Sequence, residues 1–153
     1  MRVAALMWFA YAALAGVGMG LKSVPFSVAG SVFYLVPMVL VYRLFSPADT
    51  TVALALLPIE GLACGIQAAG QIRDDKDLQK LALVVFALGF VVLGYLVARS
   101  DLLPPFVGYA MIAGAVAWGV AMIPGMPLPV ALPLQLLGFA SEGLFVIWML
   151  VAG

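Results

Sequence analysis

Six long apolar runs, separated by short clusters of polar residues, proline and glycine, make up almost the whole chain. They occupy residues 3–21, 25–45, 47–72, 81–98, 104–123 and 132–152. A membrane-spanning helix needs about 20 apolar residues, so each run predicts one crossing. The expected fold is all-α, a polytopic six-helix transmembrane bundle with short loops, forming a single domain over residues 1–153. Local signals set the boundaries. Lys22-Ser23 closes the first run, and Pro25 suits the first turn of the second. Ser46-Pro47-Ala48-Asp49 reads as the start of the third helix, with Ser46 as cap. Asp101 is expected to cap the fifth, and the apolar loop 124–129 is expected at the membrane interface. Met1-Arg2 followed by Ala13-Leu14-Ala15 resembles a signal peptide, but the apolar run continues to Leu21, so a retained first helix is expected.

Polar residues interrupt this pattern in two helices. In the third, Glu60, Cys64, Gln67 and Gln71 recur at steps of four, three and four, which puts them on one helical face. Such a stripe must face protein or a water-filled cavity, because hydrocarbon offers it no partner. In the sixth, Gln135, Gly138 and Glu142 share a face. A charged carboxylate at the bilayer centre costs about 2.5–3.5 kcal/mol, and no lysine or arginine lies deep in any run to offset it. The two glutamates are therefore expected to be neutral, or to share a proton if adjacent. Both are followed by Gly-Leu, which hints at an inverted repeat, although nothing else aligns between the halves.

Gly16 with Gly20, and Gly61 with Gly65, form G-x-x-x-G pairs expected at close helix contacts, as is Gly138. Pro37 and Pro58 lie inside their runs and should kink them by freeing the carbonyls of Phe33 and Leu54.

Composition narrows the function. Hydrophobic residues are 66% of the 153 and charged ones 9%, against roughly 25% charged in soluble domains. The lipid bilayer is thus the first partner. Seven basic and seven acidic residues cancel, leaving no basic face for nucleic acid. The absence of histidine removes histidine-ligated haem or zinc and Ser-His-Asp chemistry, and one cysteine makes no internal disulfide. No metal or cofactor is expected, and no catalytic site is assigned. Asp74, Asp75 and Asp77 could hold a hard cation, but the interspersed Arg73, Lys76 and Lys80 favour a self-neutralised solvated turn. Six crossings put both termini on one side. Arg2, Arg43 and Arg99 lie on that side, against Lys22, Arg73, Lys76 and Lys80 on the other. Arg2 and the amino group before the first helix favour termini in the cytoplasm of a bacterial cytoplasmic membrane. Trp8, Tyr42, Tyr95, Tyr109 and Trp148 are expected near the terminal interface.

The run Leu93-Gly94-Tyr95-Leu96-Val97-Ala98-Arg99-Ser100-Asp101-Leu102-Leu103-Pro104-Pro105-Phe106-Val107-Gly108 resembles a signature of the bacterial membrane family called domain of unknown function 4386. The terminal stretch from Glu142-Gly143-Leu144 to Gly153 resembles it too, as does 42–60 more weakly, so the likeness covers roughly two-thirds of the chain. The chain is shorter than typical members, mainly in its loops. The resemblance implies a multi-helix membrane protein and no particular reaction.

Three functions fit this pattern. The favoured one is a small accessory, assembly or small-ligand-binding subunit of a membrane complex, with other membrane subunits or further copies of itself as partners. Its buried carboxylates would lock helix pairs. The alternative is a proton- or cation-coupled transporter using Glu60, Gln67, Gln71 and Glu142. A more remote alternative is an intramembrane lipid enzyme, for which only Cys64, Ser141 and the two glutamates are available.

Overall fold

Apolar side chains in lipid leave the backbone one economical way to satisfy its N–H and C=O groups, the helix. In a computed structural model the chain is all-helical over the described residues, 1–20, 24–123 and 125–152; of residues 14–20 and 26–27 only the helical backbone is described. The helices are α1 (Arg2–Gly20), α2 (Val24–Phe33), α3 (Leu35–Phe45), α4 (Thr50–Ile72), α5 (Lys76–Arg99), α6 (Pro105–Ala121) and α7 (Leu128–Ala152). The expected end of the first helix at Leu21 and the surroundings of Gly16 and Gly20 lie outside the described residues.

α2 and α3 are one column divided at Tyr34, so seven segments make six columns. Pro37 has no N–H to offer the Phe33 carbonyl. The neighbouring Met38 N–H reaches the Tyr34 carbonyl only at 3.4 Å. Pro58, by contrast, leaves α4 continuous. Among the described residues, four helices are long and apolar enough to cross a membrane: Val28–Phe45, Thr50–Ile72, Lys76–Arg99 and Leu128–Ala152. Two shorter apolar helices, Arg2–Ala13 and Pro105–Ala121, accompany them.

Four helix starts differ from the sequence expectation; that of α6 is Pro105, with Pro104 and not Asp101 at the cap position. α4 starts at Thr50, not at Pro47: Asp49, in an extended conformation, caps it by accepting from the Val52 N–H at 3.0 Å, while Ser46–Ala48 form a turn. α5 starts at Lys76, five residues before the first apolar run position, because Asp75 accepts from the N–H groups of both Asp77 and Leu78. α7 starts at Leu128, since Pro129 in the first turn needs no N–H and the Pro127 carbonyl takes the N–H groups of Val130 and Ala131.

The charged turn between α4 and α5 is therefore only Arg73 to Asp75. Asp74 adopts a left-handed φ of 50°, and the Asp75 N–H returns to the Gly70 carbonyl at 2.8 Å, which seals the end of α4. Asp74 pairs with Lys76 at 2.8 Å and Asp77 with Lys80 at 3.8 Å. The hydrogen bond and charge of Lys76 hold the Asp74 carboxyl below the usual range. The stabilisation is present at neutral pH and lost as pH falls through that lowered value; on so exposed a pair it is small.

Each column packs against its neighbours in sequence, and α1 packs against α7, which closes the six into a ring. Arg2 Nε donates to the Leu150 carbonyl at 3.3 Å, so both ends of the chain lie together. The tightest seam is α5 against α6. A Cβ on Gly94 would stand 2.8 Å from the Gly108 carbonyl oxygen, and one on Gly108 would collide with the backbone of Gly94 and Ala98. Gly61 and Gly65 do the opposite of what their spacing suggests: a Cβ on either meets nothing within 4 Å among the described residues. Gly138 does sit in a contact, 3.1 Å from the Trp118 Cβ for an added methyl.

Gly108→Ala should therefore destabilise the bundle by about 1–3 kcal/mol, the usual range for overpacking. Gly65→Ala, which relieves helical glycine without a clash, should be neutral or stabilising by up to about 1 kcal/mol. Thermal denaturation of both variants in one detergent checks the contrast; equal losses would contradict the assigned seam.

Candidate functional site

The ring surrounds a partly open cavity of about 560 Å³ in the half of the bundle away from the chain termini. Its wall includes Gln71 near the end of α4, Leu83 near the start of α5 and Met122 just past α6. Aromatic side chains dominate the lining: Trp8 and Tyr11 from α1, Tyr34 from the break between α2 and α3, Phe86 and Phe90 from α5, and Trp118 from α6. The polar groups come from two helices, Gln67 and Gln71 on α4 and Gln135 and Glu142 on α7. Four of the six stripe residues expected from the sequence thus line the cavity, two from α4 and two from α7, helices that are not neighbours in the ring.

The other two sit behind it. Glu60 is completely buried, and its carboxylate lies against Gly89 of α5, where any Cβ would collide with it. Glycine at that position makes the notch that admits the carboxylate. Cys64, one turn further along, is also buried. The Tyr34 hydroxyl approaches Glu60 closely enough to act on it electrostatically, but neither group completes a direct hydrogen bond by strict geometry. Glu60 and Glu142 lie within electrostatic reach of one another across the interior of the ring.

Glu142 is held differently. The Trp8 indole N–H donates to one of its oxygens, a bond between residues 134 positions apart. Trp8 is only 2% exposed and meets Tyr34, Phe90 and Phe145 edge-on at 5.7–5.9 Å between ring centroids. It belongs to the interior, not to the membrane interface where an isolated tryptophan near a helix end is expected. The amphipathic ring serves because the indole body packs while its N–H finds the carboxylate. A second chain of rings runs from Phe90 to Trp118 at 6.4 Å and on to Phe139 at 5.2 Å.

Several polar atoms remain unpartnered in this interior. Both Glu60 oxygens, the Tyr34 hydroxyl, and the Gln67 and Gln71 Oε1 atoms are buried without a hydrogen-bond partner. Ser141 is not among them: its hydroxyl donates to the Gly138 carbonyl at 2.7 Å, and its side chain fills the space that a Cβ on Gly114 would need. Among the described residues, no group of three or more cysteine, aspartate or glutamate side chains is placed to hold a metal. Ligand cavities typically measure 300–1,000 Å³ and pair apolar walls with a few convergent polar groups, and this one has that form.

Sequence periodicity found the glutamine and glutamate side of the wall. It missed the aromatic side and Gly89, because an aromatic or a glycine among apolar neighbours carries no periodic signal. Comparison with protein-family models, with curated proteins and with solved structures gives no match to this chain.

Two variants test the geometry. Gly89→Ala should destabilise by about 1–3 kcal/mol, and adding Glu60→Ala should recover much of that loss, a coupling read from a double-mutant cycle. Trp8→Phe keeps the ring but removes the donor to Glu142, and should cost about 1–3 kcal/mol for a buried acceptor left unpaired. Additive effects in the first pair would place Glu60 away from Gly89.

Proposed function

We propose that the chain is a small multi-pass membrane protein that holds a small, largely apolar molecule in its intramembrane cavity, as a binding or accessory subunit of a membrane complex. The observation that carries this reading is the 560 Å³ chamber, lined by aromatic side chains together with glutamine and glutamate side chains. An accessory subunit that only locked helices together would gain nothing from a chamber of that size. The exposed apolar faces of the helices suit lipid and neighbouring subunits alike. We place the protein in a bacterial cytoplasmic membrane with both termini inside, on the strength of Arg2 and the joined chain ends. The sequence resemblance of the run from Leu93 to Gly108 is the ground for placing it beside domain of unknown function 4386.

A second reading has its own observation. Glu60 and Glu142 lie within electrostatic reach of each other, which suits proton- or cation-coupled transport. It requires Glu60→Gln to abolish flux in reconstituted vesicles while the fold is kept. For the lipid enzyme no observation of this kind speaks, since the Ser141 hydroxyl is engaged with Gly138 and packed on Gly114.

Native mass spectrometry of the protein extracted gently from its own membrane tests the primary reading. The expected result is an added mass of a few hundred daltons, companion subunits, or both. A bare chain or bare homo-oligomer under the mildest extraction would contradict it.

A further inference from the structure

The chemistry of the cavity wall narrows the class of molecule that fits it. Among the described residues Glu142 is the one charged residue on the wall, and no lysine or arginine lines it. Behind the wall Glu60 adds a second carboxylate, fully buried, with both oxygens unpartnered. Gln67 and Gln71 line the wall, and their Oε1 atoms, themselves buried, are acceptors that no group of the protein supplies with a donor. The Tyr34 hydroxyl, also unpartnered, can donate or accept; every other unmet requirement is for hydrogen-bond donors or positive charge. Unmet acceptors in a bilayer interior are costly, so an occupant that donates gains most. A quinone or a simple ketone, which only accepts, would leave these groups unpaired.

The aromatic lining points to the same class. Aromatic faces attract cations through the ring quadrupole, tryptophan most strongly, and the attraction grows where water is excluded. Tyr11 and Trp118, both partly exposed, supply such faces around the space that Glu142 overlooks, with the buried Trp8 and Phe90 beside them. They also bury an apolar body.

We propose that the cavity binds a lipophilic organic cation, an ammonium carrying N–H donors on an aromatic or alicyclic body. In this arrangement Glu142 meets the charge, Gln67 and Gln71 accept from the N–H groups, and the rings of Trp8 and Trp118 enclose the rest. The Trp8 indole engages one Glu142 oxygen and so fixes the carboxylate for the other to face the ligand. The inference rests on the cavity being a binding site at all, and the experiment separates the two claims.

Dibenzylammonium and 1,3-diphenylpropane have the same shape and differ by a protonated nitrogen in place of the central carbon. Each is added at matched mole fraction to the full chain in zwitterionic phosphatidylcholine nanodiscs at neutral pH, and binding is read from the thermal shift across a titration. The expected result is that the ammonium binds about tenfold or more tighter than the hydrocarbon, in keeping with a desolvated cation over aromatic rings. Glu142→Gln, which keeps an acceptor for Trp8, should shrink that ratio to about threefold or less. Equal binding of both probes would overturn the cation class and leave the binding reading standing. Binding of neither would overturn both. A preference for the ammonium that Glu142→Gln leaves intact would overturn the role given to Glu142, and with it the proposal.

Discussion

The hydrogen bond from the Trp8 indole to Glu142 joins the first helix to the last, and the closed form of the bundle depends on it. Helices in lipid gain little from hydrophobic burial, because the tails are as apolar as the side chains. What holds them is close packing and the cost of leaving a polar group in hydrocarbon without a partner. A carboxylate on α7 and an indole donor on α1 relieve that cost only by meeting. Their meeting brings Trp8 edge-on against Tyr34, Phe90 and Phe145, so one side chain links α1 to the break in the second column, to α5 and to α7. Glu60 obeys the same constraint from the other side. With no lipid-compatible position available, it is housed inside, and Gly89 supplies the notch.

The cavity follows from these placements. Large rings meeting edge-on around a closed set of six columns do not fill its centre. The interruption at Tyr34, where Pro37 removes a helical hydrogen bond, turns another ring inward. Two polar helical faces then line what remains. The unpartnered oxygens of Gln67, Gln71 and Glu60 are the residue of this arrangement.

The helices were legible in the sequence because length and hydropathy determine them almost alone. So was the polar stripe, whose spacing of 3.6 residues needs no knowledge of neighbours. Contacts between helices were not. Gly61 and Gly65 carry the spacing of a packing motif yet face open space, whereas Gly89, Gly94 and Gly108 make the close approaches. Which glycine faces a neighbour depends on how each helix is rotated, and a glycine's own run does not encode that. Helix starts shifted for a related reason. Ser46 and Asp49 both suit a cap, and the extended backbone at Asp49 decides between them. Four of the five residues from Lys76 to Lys80 are polar, so the stretch falls outside the apolar run, while the Asp75 cap starts the helix there.

The account stands on Trp8 facing the interior of the bundle. Its most direct test is fluorescence of a protein retaining Trp8 alone, with Trp118→Phe and Trp148→Phe, reconstituted in phosphatidylcholine with brominated acyl chains. The account predicts that Trp8 emission escapes quenching, while a single tryptophan introduced at the lipid-facing Leu136 is strongly quenched. Equal quenching at the two positions would place Trp8 in lipid, break its bond to Glu142, and contradict the closed ring and the cavity within it.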